Sequence, residues 1–256
     1  MTVNLQEFWT FLIVLARVSA LFLSAPIFGS RLIPAQVKIG LAAALSIALV
    51  PTVAGQVGAP PADLFGLVLR LAGEVAIGIC LGMIVQLFFV ALQVGGHLID
   101  SQAGFGIINL LNPYSEHHNS VLGQFLYQLG MVLFLAMGGH LFLIGTLARS
   151  YATIAPGAAT FSGSAETVFL HAINEMFLLA FRLAVPVVAV TLVIDVAFGI
   201  MGRMVPQMHV FLVGIPVKII VGLVTLAVAL PALAIFFGQM LPVFGDHAQA
   251  FLRAAR

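Results

Sequence analysis

The chain has 256 residues, 62% of them hydrophobic and only 7% charged, with ten Lys and Arg against nine Asp and Glu for a formal charge of +1. Soluble domains carry about 25% charged residues, so a mean hydropathy of +1.17 excludes a solvated globule and points to an integral membrane protein. That charge balance leaves no basic footprint for nucleic acid, and the single cysteine, Cys80, excludes an intrachain disulfide and reads as a small buried hydrophobe.

The first apolar run, residues 8–25, carries Arg17 near its middle and stops at Pro26. Glu7 precedes it, and no basic segment and small-residue cleavage site frame it, so it is expected to stay in the protein. After a connector at 27–34, a second run covers 37–50 and ends at Pro51. Spanning about 30 Å of hydrocarbon takes roughly 20 helical residues. This run is shorter and rich in Ala, which suits packing against other helices. Pro60-Pro61 marks a plain turn at 55–63. The third run, 64–94, holds Arg70 and Glu74 four residues apart, a spacing that predicts an intrahelical ion pair. Gly73, Gly78 and Gly82 recur at about one helical turn and predict a tight helix–helix contact.

Residues 99–120 then interrupt the oily pattern. Gly104-Phe105-Gly106 is followed by Ile107-Ile108, Leu110-Leu111, Asn112-Pro113 and Glu116-His117-His118. That is too apolar for a surface loop and too rich in Gly, Asn and Pro for a spanning helix. A non-helical element lining or closing a cavity in a membrane assembly is expected. Glycine on both sides lets Phe105 project freely, and a hydrophobic obstruction at a constriction blocks water and ions by dewetting. A flexible re-entrant turn with ordinary packing side chains is the alternative.

A fourth run, 121–147, contains Gly138-Gly139-His140, and Arg149, Ser150 and a linker at 156–164 follow. The last third reads as a hairpin. Residues 168–201 carry Glu175, Arg182, Pro186 and Asp195; a turn covers 202–207; residues 210–238 return with Pro216, Lys218 and Pro231; and a polar tail closes the chain. The fold class is therefore an all-α membrane protein with about six long apolar segments, several broken by Pro or Gly. If all six crossed simply, Arg31, Lys38 and Arg203 would face Arg149, Arg253 and Arg256 across the bilayer. So even a split fixes no orientation and, with the prolines and the short second run, argues that not every segment is an ordinary span.

Arg17, Glu74, Arg182, Asp195 and Lys218 lie inside apolar runs, where each charge costs about 2.5–3.5 kcal/mol on insertion scales. Pairing inside a protein assembly is expected of them. A proton or ion relay in a secondary transporter, using Glu74, Asp195 and Arg182, is the competing reading, although no internal repeat of the kind transporters show is visible. The adjacent histidines at 117 and 118 have no third ligand at metal-site spacing, so no metal and no cofactor is expected. There is no glycine-flanked nucleophile of a Ser-His-Asp set, no phosphate loop and no HExxH, and an enzyme is not expected.

The ordered motifs resemble those of the FliR family of the flagellar type III export gate, the SctT group in injectisomes. The resemblance is carried by Arg17, the A-P-I-F-G of residues 25–29, Pro34, Lys38 and Pro51; by Glu74, Gly78 and Gly82; and by Gly96, Asp100, Gln102, Gly104, Phe105 and Pro113. It continues through Gly139-His140, Ser150 and Pro156. Most specific are Pro186, Asp195, the R-M-V-P-Q-M-H-V-F of residues 203–211, and the G-I-P-V-K that ends at Lys218. His209 stands where the family pattern has Asn, and Asn112 where Asp is common. The resemblance implies a subunit of a helical export-gate assembly, built as a FliP-like part at 1–160 and a FliQ-like hairpin and tail at 161–256. It also implies a plug loop at about 99–120, with Gly104, Phe105, Gly106, Ile107, Ile108, Leu110, Leu111, Asn112 and Pro113 in the obstruction. Arg17, Glu74, Arg182, Asp195, Arg203 and Lys218 would be paired within the assembly. The implied partners are FliP-like and FliQ-like gate subunits, FlhB-like and FlhA-like export proteins, and exported unfolded flagellar proteins. The implied place is the bacterial inner membrane at the flagellar basal body, partly on the periplasmic side. The injectisome gate is the nearest alternative.

Overall fold

A computed structural model of the chain describes residues 5–30, 33–106, 120–159, 163–204 and 210–255. Among these residues every regular element is an α-helix: α1 (Leu5–Ser24), α2 (Ala35–Val53), α3 (Leu64–Ala103), α4 (Val121–Ala136), α5 (Gly139–Thr153), α6 (Gly163–Met204) and α7 (Val210–Ala254). Five are long and apolar enough to cross a membrane, and α4 with α5 makes a sixth if the pair counts as one span. Helix is what such a sequence requires, because in hydrocarbon each backbone N–H and C=O must find its partner within the segment.

Several boundaries differ from those the apolar runs suggest. The third run continues as helix through Asp100 to Ala103, and Gly104, at φ 92, stops it in the left-handed conformation favoured just past a helix end. The irregular stretch therefore begins at 104 and not at 99. The fourth run is two helices: Met137 closes α4 and Gly138, at φ 75, opens α5. Pro186 stands inside α6, which runs on through it as the long apolar run from 168 suggests. The polar tail is also helical, because Phe244, Ala248, Phe251 and Leu252 recur at helical spacing and are all buried. At 1.5 Å per residue, α3, α6 and α7 each run about 60 Å or more, roughly twice the hydrocarbon thickness.

The chain forms two compact units that interleave in sequence. The first comprises Met1–Leu87, Gly138–Ile173 and Met240–Arg256; the second comprises Phe88–Met137 and Asn174–Gln239. The division at 160/161 expected from the resemblance follows the order of the chain, whereas these units follow packing. In the first unit, α1 lies on the early half of α3, burying Ile13, Val14, Val18 and Leu21 with Ile77, Leu81 and Ile84. Gly78 and Gly82 make this contact possible: an added Cβ would sit 2.7 Å from the Ala20 Cβ at the first and 2.8 Å from the Ser24 Cβ at the second. The third glycine of the series, Gly73, packs instead near Ala159. In the second unit an aromatic cluster forms the centre, with Phe88 edge-on to Phe237 at 4.6 Å and Phe89 edge-on to Phe134 at 5.5 Å.

Replacing Gly78 by Val is expected to lower stability by about 1–3 kcal/mol through overpacking against α1. Gly40→Ala, where no atom lies within 4 Å, serves as the control. Thermal unfolding in detergent measures both, and equal midpoints would show that α1 and α3 are not held at this distance.

Candidate functional site

The polar groups of this oily chain collect at two places. In the first unit Arg17 on α1 and Glu74 on α3 are both completely buried. Arg17 Nε donates to Glu74 Oε2 at 2.7 Å and Nη2 donates to Oε1 at 3.1 Å, a bidentate fork. Arg17 Nη1 donates to Ser150 Oγ at 2.9 Å and Nη2 also reaches the Ile154 carbonyl at 3.3 Å, so α5 joins the pair. The guanidinium lies 4.2 Å from the ring centroid of Tyr151, a cation–π arrangement strengthened by desolvation. Glu74 Oε1 accepts a further bond from the Gly157 N–H at 2.8 Å, which the positive φ of 80 at Gly157 accompanies.

The Arg70–Glu74 pairing that their spacing predicts is not the one that forms. Arg70 donates to the Ala59 carbonyl at 3.2 Å, while Glu74 turns to Arg17. The competition is decided by what each partner offers: the buried guanidinium supplies two charge-assisted bonds in low dielectric, where an exposed i,i+4 pair contributes only a few tenths of a kcal/mol.

In the second unit polar side chains join the end of α3 to the start of α4. Asp100, in the last turn of α3, accepts a hydrogen bond from the Ser120 hydroxyl and another from the Leu122 N–H at 3.1 Å. Ser120 Oγ in turn accepts from the Gly123 N–H at 2.8 Å and caps α4. The Asp100 carboxylate thus sits at the positive end of the α4 dipole. Backbones of α3 and α4 touch here, since a Cβ on Gly96 would lie 2.8 Å from the Leu122 carbonyl carbon. Two residues after Asp100, Gln102 Nε2 donates to Asp195 Oδ2 at 3.2 Å. Asp195 Oδ1 is 2.5 Å from Lys218 Nζ, so α6 and α7 are joined to the end of α3.

Of the expected plug residues, Gly104, Phe105 and Gly106 form the half-buried turn after α3. Ile107, Ile108, Leu110, Leu111, Asn112 and Pro113 lie outside the described residues, as do Glu116, His117 and His118. Of the six charges expected to be paired, Arg17 with Glu74 and Asp195 with Lys218 find partners within the chain. Arg182 and Arg203 are exposed on α6 and make no ion pair among the described residues. Beside Ser120 a cavity of about 810 Å³ is lined by the exposed side chains of Gln93, His97, Gln124 and Gln128, with no Asp, Glu, Lys or Arg in its wall among the described residues. Among the described residues no group of three or more His, Cys, Asp or Glu stands close enough to hold a metal ion.

Removing one member of the buried pair strands a charge, so Glu74→Leu is expected to cost about 3–5 kcal/mol, while the double change Arg17→Leu with Glu74→Leu costs far less. Chemical denaturation of the four-member mutant cycle measures this, and additive single costs would refute the assigned coupling. Asp100→Ala is expected to cost about 1–2 kcal/mol and to speed hydrogen exchange at residues 121–124. Unchanged exchange there would show that the cap does not depend on Asp100.

The family model for bacterial export proteins, family 1, matches residues 8–242. A flagellar biosynthetic protein FliR of Bacillus subtilis (strain 168) is 35% identical over 230 residues, covering 87% of this chain and 86% of its own length. That of Escherichia coli (strain K12) is 32% identical over 229 residues, with 90% and 85% covered. The Yop proteins translocation protein T of Yersinia pestis is 27% identical over 213 residues, with 82% and 81% covered.

Proposed function

The chain belongs to the bacterial export proteins, family 1, and from that membership we propose that it is a subunit of the flagellar type III secretion export gate. In this reading it is not an enzyme. It forms part of the channel for unfolded flagellar proteins and contributes a hydrophobic plug from Gly104, Phe105, Gly106, Ile107, Ile108, Leu110, Leu111, Asn112 and Pro113, within the stretch at about 99–120, with driving energy supplied by other components. The observation that carries the reading is the match over residues 8–242 to a family of export proteins. The plug is supported by the way the loop is mounted: Asp100 ties its exit at Ser120 back to the helix it leaves.

The partners are FliP-like and FliQ-like gate subunits, with FlhB-like and FlhA-like export proteins alongside. Arg182 and Arg203 support this. They stand exposed on α6 among exposed Phe181, Val185 and Ile200, and a guanidinium facing hydrocarbon is costly. Carboxylates or carbonyls of neighbouring subunits are the partners we assign to them. The FliP-like part is 1–160 and the FliQ-like hairpin is 161–256, consistent with α6 and α7 following each other as two long helices. Placement in the inner membrane, partly on the periplasmic side, is favoured by helices about twice as long as the hydrocarbon core. The flagellar gate is preferred to the injectisome gate because identity to the named flagellar proteins reaches 35%, against 27% for the Yersinia protein.

Deleting residues 107–112 tests the plug. Cells expressing the shortened chain with its gate partners are expected to leak ions while the complex still co-purifies, and an intact complex without leak would overturn the plug assignment. Uptake of a small solute into proteoliposomes by the purified chain alone would instead favour the transporter reading.

A further inference from the structure

We propose that the cavity between α5 and the C-terminal part of α7 is a phosphate site that seats the headgroup of an anionic phospholipid. This inference rests on the membrane character of the chain and not on the export reading.

Four residues of α5 at helical spacing, Phe142, Thr146, Arg149 and Thr153, line one wall of a cavity of about 230 Å³. Gly245, Gln249, Leu252 and Arg253 of α7 line the other. α5 and the part of α7 from Met240 onward both belong to the first compact unit. At the floor they approach closely, for a Cβ on Gly245 would sit 3.0 Å from the Phe142 ring. Toward the ends of the two helices they leave room, and Arg149 and Arg253 line it from opposite walls.

The donor set specifies an anion. Arg149 and Arg253 are exposed and make no ion pair among the described residues. The hydroxyls of Thr146 and Thr153 give their protons to the Phe142 and Arg149 carbonyls. Among the described residues, what remains free to donate in this wall is two guanidiniums and the Gln249 amide, with no carboxylate beside them. Each arginine alone has an ordinary account, since Arg253 lies in the last turn of α7 where cations are favoured. Their convergence on one cavity does not follow from that. The lower wall is apolar, through Phe142, Ala152 and Leu252. A cationic rim above an apolar floor, between two helices of a membrane protein, matches a phosphodiester with its glycerol carbons below it.

The test is native mass spectrometry of the full chain purified in mild detergent and titrated with phosphatidylglycerol or phosphatidylcholine. Retention of phosphatidylglycerol is expected to exceed that of phosphatidylcholine, each arginine contributing roughly fivefold and the pair roughly thirtyfold. Arg149→Gln and Arg253→Gln should each remove their share and the double variant should remove the preference. Arg149→Lys with Arg253→Lys should keep most of it, and thermal unfolding checks that all variants fold. Equal retention of the two lipids, or a preference untouched by the double variant, overturns the proposal. Full displacement by millimolar inorganic phosphate would identify free phosphate as the ligand and overturn the lipid assignment, and displacement by an acidic peptide would identify a protein carboxylate and do the same.

Discussion

The fork between Arg17 and Glu74 is the constraint on which the first unit depends. Lipid tails are as apolar as the side chains they meet, so apolar surface alone does not tell one helix which neighbour to choose. A buried guanidinium does: it needs several acceptors in one plane, and here α1, α3, α5 and the turn at Gly157 all supply or orient them. Because the pair lies out of water entirely, leaving any of those positions costs a full unmet charge. The close glycine contact of α1 on α3 follows from the same demand, since it brings the two charged residues within reach.

The second unit solves a different problem with the same chemistry. Its polar contacts gather where α3 ends and α4 begins, and a further contact through Asp195 ties in the hairpin of α6 and α7. A helix end exposes unsatisfied backbone groups, so a carboxylate that meets both a hydroxyl and an N–H there satisfies the start of α4. Gln102, one residue inside the end of α3, then depends on whether Asp195 keeps Lys218. In this unit, then, the polar contacts of Asp100, Gln102 and Ser120 sit at the joint between helices.

Fold class and helix count were legible because composition and run length decide them. Where helices stop was less so. Phe244, Ala248, Phe251 and Leu252 hid a helical face inside what looks like a polar tail, and Asp100 looked like the start of irregular chain while still belonging to α3. Both errors come from reading polarity as an end to structure, when packing of one face outweighs it. The partner of Glu74 was illegible for a different reason. Arg70 is four residues away and Arg17 is 57 away, and periodicity carries information only about the near one. Ser150 and Tyr151 were hidden in the same way, because only the fold brings α5 to Arg17. By contrast, Gly78 and Gly82 signalled their contact, since nothing but close approach calls for repeated glycine in an apolar helix.

The Asp100–Ser120 closure has one more consequence, for how this chain changes over generations. A helix end tied directly to the start of the next helix keeps its distance from it through its own bonds. Residues can be gained, lost or exchanged between Gly106 and Ser120 without altering the distance that α3 and α4 must keep, and the entropy of closing a longer loop grows only slowly with its length. The closure lets α3 and α4 keep their contact whatever the length of the chain that joins them.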